Sequence, residues 1–324
     1  MYGAGAVGGH IAGRLAEREA EVSLIARGEQ LAAIRRQGLR VETRDGELVS
    51  HPAATDRPGD LEPQDIVIVA VKAPALPAIA EQIGSLLHED GLALFVMNGI
   101  PWWYFHAHGG ALDGTHLGRL DPGRALWDHV DPERAVGAVA YTACSVVAPG
   151  VIRAENARNR LLVGRPDGRS DARLDALASL LNPSGLEVTV TPRIRDAVWV
   201  KLLMNLIGGS LAVLSASPMK DVLDKPAVAA AAKDMAAEGA AIARALGCDP
   251  GDPYEGLGKL AKSGHLQSIA QDLLAGRPME IDAMFRVPLD LAELMQVPTP
   301  NLDLVIELAT QRARAAGQYH DAGR

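Results

Sequence analysis

Lys201 and Asn205 stand four residues apart in an otherwise almost wholly apolar run, Ala197 to Ile207. At about 100° per residue an α-helix projects both side chains from nearly the same face. An ammonium in such surroundings must be paired, or its pKa must fall. A lysine and a carboxamide on one helical face present a proton donor and an orienting group to a common ligand. The alternative is a lysine that snorkels its ammonium to water along an apolar stem. The rest of the chain bears on which reading holds.

At the other end, Gly3-Ala-Gly-Ala-Val-Gly8 places Gly3, Gly5 and Gly8 in the pattern GxGxxG, and it runs directly into the amphipathic start His10-Ile-Ala-Gly-Arg-Leu-Ala16. The first glycine makes a tight turn, the second lets backbone approach a pyrophosphate, and the third allows close packing of helix on strand. Ala6 and Val7 lie between the second and third, at the helix N-terminus where the phosphate would rest. Glu21 to Ala26 reads as the next strand, which gives glycine turn, helix and strand in the order a dinucleotide fold needs. That strand ends in Arg27, with Glu29 the nearest acid. An arginine there suits a 2′-phosphate and an acid a 2′-hydroxyl, so the sequence points to NADP(H) with Arg27 as the phosphate partner. Only Met1 and Tyr2 precede Gly3, so the first strand is expected either to be very short or to begin before the recorded residues.

The elements that must position these groups follow from hydrophobic patterning. Asp65 to Val71 is a continuous β-branched run, as a parallel strand buried on both faces requires, and it ends at Lys72. A helix is expected around Leu76 to Leu87, then a strand from Gly91 to Met97 ending in Asn98-Gly99. Ligands bind at the C-terminal edge of parallel sheets, which puts Lys72 and Asn98 in reach of cofactor or substrate. Trp102, Trp103, Tyr104 and Phe105 then crowd together in a chain with only 4% aromatic residues. They could wall or cover a substrate, although aromatics so close together more often form core or dimer contacts. Strand patterns resume over Ala135 to Val147, Val151 to Ala154 and Arg160 to Val163; a helix near Leu174 to Leu181 and a strand from Leu186 to Thr191 follow. From Pro192 onward the pattern is helical alone. Pro192 suits the first turn of the helix carrying Lys201, and Ala227 to Leu246 forms a helix stopped by Gly247. Another, near His265 to Ala275, halts at Gly276-Arg277-Pro278, and a new one begins at Met279 with Glu280 in its first turn. That break can turn Ser268 and Glu280 toward one cleft. The tail after Arg314 is expected to fray.

Composition sets the outer limits. The 324 residues, 48% hydrophobic, suffice for two domains, and the net charge of −8 argues against nucleic acid or an anionic membrane as the main partner. No apolar run is read as a membrane span and no signal-like core is present, so a cytoplasmic protein is expected. Cys144 and Cys248 lie far apart without CxxC spacing, and His106 and His108 have no carboxylate or cysteine at ligand spacing, so neither disulfide nor metal is expected. The fold class is α/β: an N-terminal Rossmann-type dinucleotide-binding domain, residues 1–191, followed by an all-α domain, residues 192–324.

Together these residues resemble the ketopantoate reductase (2-dehydropantoate 2-reductase) family over nearly the whole chain. The resemblance rests on Gly3 to Gly8, Val71-Lys72-Ala73, Asn98-Gly99, Lys201-Leu202 with Asn205, Ser268 through Gln271-Asp272, and Gly276 to Glu280-Ile281-Asp282. It implies that NADPH and a 2-oxo acid meet in a cleft, with Lys201 as general acid and Glu280 as the acid paired with it or with substrate hydroxyls. It further implies that Asn205, Ser268 and Asn98 hold the substrate, with Asn98 also close to the nicotinamide, and that Lys72 contacts the cofactor along with Gly3, Gly5, Ala6, Val7, Gly8 and Arg27. A homodimer through the helical domain fits the family. Two places depart from its pattern. A second asparagine, one helical turn past the first, is replaced by Gly209, and an Asn-Gly pair is replaced by Phe285-Arg286. Both are expected on the substrate side, where losing an amide relaxes the demand for a hydroxylated substrate. A β-hydroxyacid dehydrogenase, which carries a similar lysine and asparagine, and a non-catalytic NADP(H) sensor are the rival readings.

Overall fold

The computed structural model describes residues 1–18, 20–182 and 185–320. The chain forms two compact units, one of residues 1–97 with 102–194, the other of residues 98–101 with 195–324. The division after Ile194 falls beside the boundary expected at 191/192. It also assigns residues 98–101 to the second unit, which hydrophobic patterning does not reveal because they follow directly on a strand of the first.

The first unit is built on a mostly parallel sheet. Its strands are β1 (Ser23–Ile25), β2 (Leu39–Thr43), β3 (Gly46–Ser50), β4 (Ala53–Thr55), β5 (Gln64–Val69), β6 (Leu87–Val96), β7 (Ala135–Tyr141), β8 (Cys144–Ala148), β9 (Val151–Ala154), β10 (Asn159–Gly164) and β11 (Leu186–Val190). β11, β10, β7, β6 and β5 form one run, parallel except where β10 meets β7, and β1 pairs with β4. Tyr2 joins the two by parallel bridges to Ile25 and Val69. Its N–H donates to Ile68 O at 2.7 Å and its carbonyl accepts from Ala70 N at 2.9 Å, while Gly3 N donates to Ile25 O at 3.0 Å. Tyr2 thus bridges the middle of the sheet and delivers the chain straight into the glycine turn.

A second sheet, in the order β3-β2-β9-β8, lies against the other side of the Ala6–Glu17 helix. That helix needs two different faces. Ile11 and Leu15 pack into the core of the main sheet. On the opposite side Gly9 and Gly13 approach the second sheet so closely that a Cβ would lie 2.8 Å from Ile152 Cγ1 and 2.6 Å from Val41 Cγ2, respectively. His10 is fully buried on the same helix; Arg14 Nε donates to its Nε2 at 3.3 Å, and Cys144 Sγ stands 3.4 Å from its Nδ1. Burial pulls His10 down to about 4 and lifts Cys144 to about 11, so both are neutral and tie the helix to β8.

Several expectations are corrected. The stretch 135–147 is two strands in different sheets, broken after Tyr141, and β2, β3 and β4 were not foreseen. Helix 76–87 is one 3₁₀ turn, Pro77–Ile79, followed by α-helix Ala80–Leu86, with Leu87 already in β6. The aromatic cluster, by contrast, is core, the commoner of the two readings: Trp102, Trp103, Tyr104 and Phe105 are at most 1% exposed. Trp102 meets Phe95 edge-on at 5.5 Å between centroids, and Trp103 fills the space a Cβ on Gly137 would need, 2.4 Å away.

The second unit is helical. Pro192 stands outside the helix it was expected to begin; helix starts at Ile194 and continues as α-helix to Met204, π-helix over Asn205–Gly209 and α-helix over Ser210–Ser215. This 22-residue stretch, whose most apolar 18-residue window has mean hydropathy 1.8, is long and apolar enough to cross a membrane, contrary to the expectation that no run is, but 67% of that window is buried inside the fold as in a core helix. Gly239 on the Pro226–Ala245 helix lets the two helices close up, since a Cβ there would lie 2.7 Å from Leu203 Cδ2. A second π-helix spans Asp282–Arg286. The tail does not fray after Arg314: helix continues to Ala315 and Tyr319 is only 6% exposed. Residues 321–324 lie outside the described residues.

Candidate active site

The expected site residues fall into two groups, one in each unit. In the first unit the three glycines carry three different burdens. Gly3 has φ +104°, a left-handed conformation, and a Cβ there would lie 2.8 Å from Val71 Cγ1. A Cβ on Gly8 would lie 2.1 Å from Gly3 O, so only glycine lets the helix pass that close to the turn. Nothing stands within 4 Å of the Cβ position on Gly5, which opens to free space at the N-terminus of the Ala6–Glu17 helix. The first N–H groups of a helix have no intrahelical partner, and Gly5 has no side chain to cap them, so they are available to an anion.

A cleft of about 310 Å³ opens beside this turn, lined by Tyr2 to Gly5, Ile25, Ala26, Arg27, Gln30, Val71 and Val146. Arg27 is exposed and precedes the Gly28–Gln37 helix. Lys72, partly buried, follows Val71 at the edge of the sheet and precedes the Ala73–Ala75 turn. Two lining residues were not foreseen. Gln30 holds the glycine turn in place: its Nε2 donates to Ala4 O at 2.8 Å and its Oε1 accepts from Gly150 N at 2.9 Å. Val146, 47% exposed, brings the second sheet to the cleft wall. Neither belongs to a recognisable motif, and only the tertiary fold brings them to the turn.

In the second unit Lys201 is partly buried, and desolvation lowers its pKa from the ordinary lysine value to about 8, while the Glu280 carboxylate acts in the opposite direction. Glu280 is 8% exposed and accepts a long hydrogen bond, 3.4 Å, from Asn98 Nδ2. Asn98 reaches it because the next residue, Gly99, with φ +79°, passes so close to Ala283 that a Cβ would lie 2.3 Å from its carbonyl oxygen. Ile100 N then donates to that same oxygen at 2.8 Å. Glu280 lies just before its helix rather than in the first turn, and its carbonyl accepts from Met284 N at 3.1 Å. Asn205 opens the first π-helix, a distortion frequent at functional sites. Lys201, Glu280 and Asn98 are thus brought together, with Asn205 one turn along the helix from Lys201. Ser268 is the first residue of the Ser268–Leu274 helix; it is exposed and makes no side-chain hydrogen bond among the described residues.

Gly209 and Phe285, which depart from the family pattern, are neighbours. A Cβ on Gly209 would lie 3.4 Å from Phe285 Cζ and 3.3 Å from Ile269 Cγ2, and Phe285 is fully buried. An aromatic ring and an isoleucine methyl, rather than a carboxamide, therefore fill the space beside Gly209.

Comparison with known proteins places this arrangement. The family model described as ketopantoate reductase PanE/ApbA matches residues 1–106, and that of the family's C-terminal part matches residues 193–313. A 2-dehydropantoate 2-reductase from Mesorhizobium japonicum is 37% identical over 325 aligned positions, covering 98% of each chain. The chain belongs to the ketopantoate reductase family. A Ralstonia solanacearum protein assigned to the ketopantoate reductases shares its structure with a TM-score of 0.91 at 33% identity, covering 98% of each chain. A PanE/ApbA family ketopantoate reductase from Ralstonia eutropha superposes with a TM-score of 0.83 at 25% identity, covering 98% of this chain and all of that one. The protein is an oxidoreductase of the 2-dehydropantoate 2-reductase-like type, in a family that uses a nicotinamide dinucleotide.

The glycine turn separates stability from binding. Gly8→Ala should cost more than about 2 kcal/mol of stability by overpacking. Gly5→Ala should change stability by no more than about 1 kcal/mol yet weaken dinucleotide binding about tenfold or more, since a methyl group would occupy the pyrophosphate's approach. Denaturant unfolding and fluorescence titration of both variants distinguish the two effects.

Proposed function

We propose that this chain reduces a 2-oxo acid to the corresponding 2-hydroxy acid with NADPH, and that the substrate is 2-dehydropantoate, as for its relatives. The observation that carries the reading is the partly desolvated ammonium of Lys201 facing the charge of the buried Glu280 carboxylate. Bound NADPH supplies the hydride that reduces the ketone carbon. Lys201 donates its proton to the ketone oxygen, where negative charge develops. Glu280 keeps the ammonium charged in surroundings that disfavour charge. Asn205 hydrogen-bonds the substrate oxygens, while Asn98 and Ser268 offer neutral donors to the carboxylate. In the first unit the backbone of Gly3, Gly5, Ala6, Val7 and Gly8 cradles the pyrophosphate, Arg27 pairs with the 2′-phosphate, and Lys72 contacts the cofactor. The fit rests on the open space at Gly5, the left-handed turn at Gly3 and the cleft that Arg27 lines.

A pKa of about 8 leaves most of Lys201 protonated at neutral pH. The donor is present below that value and lost above it, so kcat should fall as pH rises through about 8. Lys201→Ala should lower kcat by about a hundredfold to ten-thousandfold while NADPH still binds in a fluorescence titration. Near-normal turnover would remove Lys201 from this role. Arg27→Ala should raise KM for NADPH by about tenfold to a hundredfold, the worth of charge-assisted hydrogen bonds, and leave KM for NADH unchanged.

The contact of Phe285 and Ile269 with the Gly209 position favours a second reading of the substrate, a 2-oxo acid with an apolar side chain. A site without a hydroxyl-binding amide does not require a hydroxyl. NADPH oxidation followed against 2-dehydropantoate, branched and aromatic 2-oxo acids, and 3-oxo acids separates these readings. Preference for a 3-oxo acid would support β-hydroxyacid dehydrogenase-like chemistry, and no turnover with any of them would support an NADP(H) sensor.

A further inference from the structure

Glu280 stands on an irregular stretch of chain between the Ser268–Leu274 helix and the π-helix Asp282–Arg286. Such a stretch does not hold a carboxylate in place unaided. One end is pinned by Arg277, whose backbone N–H donates to Asp272 O and whose Nε donates to Asp272 Oδ1, each at 2.9 Å. The other support comes from the far end of the sequence. Gln318 is hooked back onto the end of the last helix, its N–H donating to Ala313 O at 3.0 Å. From there its Nε2 donates to Leu273 O at 2.8 Å, and its carbonyl accepts from Met279 N at 3.5 Å. Tyr319 follows, nearly buried, and its hydroxyl donates to Asp282 Oδ1 at 2.7 Å, with the Arg314 guanidinium 5.7 Å from its ring centroid. The bonds to Met279 and Asp282 flank Glu280 on both sides.

We propose that Gln318 and Tyr319 form a clasp that positions Glu280 against Lys201. This rests on the reading of Glu280 as the partner of that lysine. Neither clasp residue touches the reacting groups in this account; both are positioning residues, acting through the chain on either side of the carboxylate. Tyr319 suits this place because its phenol closes onto Asp282 while its ring packs under Arg314. The charged groups around the stretch are Lys201, Asp272 with Arg277, Asp282, Arg286 with Glu307, and Arg314. Of these, the clasp constrains Asp282 directly and Glu280 by consequence.

The test compares Tyr319→Phe, Gln318→Leu and Glu280→Gln in the full-length protein by kcat–pH profiles, NADPH titration and melting temperature. Tyr319→Phe keeps the packed ring and removes only the hydroxyl, and Gln318→Leu removes the side-chain bond to Leu273 O while the backbone carbonyl of residue 318 still accepts from Met279 N. A loosened Glu280 supports the ammonium less, so both clasp variants should lower kcat about tenfold, the scale of a small misplacement at a reacting centre. They should also move the alkaline limb to lower pH, in the direction of Glu280→Gln but less far, with NADPH affinity unchanged. If Glu280→Gln moves the limb while both clasp variants keep the wild-type kcat and limb, the clasp is overturned and the role of Glu280 stands. If Glu280→Gln itself leaves the limb in place, the pairing of Glu280 with Lys201 fails and the clasp fails with it. A loss of melting temperature without a moved limb assigns the clasp to stability alone and also overturns the proposal.

Discussion

One electrostatic balance governs the helical unit: the ammonium of Lys201 is drawn toward neutrality by desolvation and held charged by Glu280. Neither group is tolerable alone, because an unpaired charge in an apolar interior costs several kcal/mol. The helix that carries Lys201 is strongly apolar, and it packs closely on the Pro226–Ala245 helix at Gly239. The opposing carboxylate is brought in from a different stretch of chain, with Gly99 and Ala283 in close contact so that Asn98 can reach it. Much of the unusual backbone in this unit, the left-handed Gly99 and two π-helices, lies around this pair.

The glycine turn of the first unit makes different demands, on backbone space rather than on a paired buried charge: a left-handed turn at Gly3, open space at Gly5, and contact at Gly8 too close for any side chain. These demands reach further along the same helix, where Gly9 and Gly13 admit the second sheet. That sheet in turn carries Val146 to the cleft, and Gln30 fastens the turn to Gly150. Under the proposed function, the helix N–H groups at this turn would supply the positive end of the interaction with a phosphate, alongside Arg27.

Much of this was legible in the sequence, for identifiable reasons. The glycine turn was legible because GxGxxG runs directly into a helix, with backbone demands at Gly3 and Gly8 that exclude other residues, and β5 because a strand covered on both faces must be apolar throughout. That Lys201 needs a partner was legible because a lone charge in an apolar helix requires one; Glu280 as that partner came only from the family resemblance. What escaped is equally specific. The π-helices at Asn205 and Asp282 leave no mark on a periodicity that differs little from 3.6. β2 and β3 escaped because their exposed positions break any continuous apolar run. The Trp102 to Phe105 cluster could have faced solvent or core, and only Gly137, distant in sequence, reveals the pocket that Trp103 fills. Tyr319 looked like part of a polar tail because its partner, Asp282, lies on another helix. The apolar stretch from Ile194 is a membrane-like sequence that the fold consumes as core, a distinction composition alone does not make.

The most direct test is a ¹³C NMR titration of the lysine side chains, with the Lys201 resonance assigned by its absence in Lys201→Met. The account predicts that this ammonium titrates near 8, and lower still in Glu280→Gln. Titration at the ordinary lysine value of about 10.4, or a midpoint indifferent to the loss of the Glu280 charge, would contradict it.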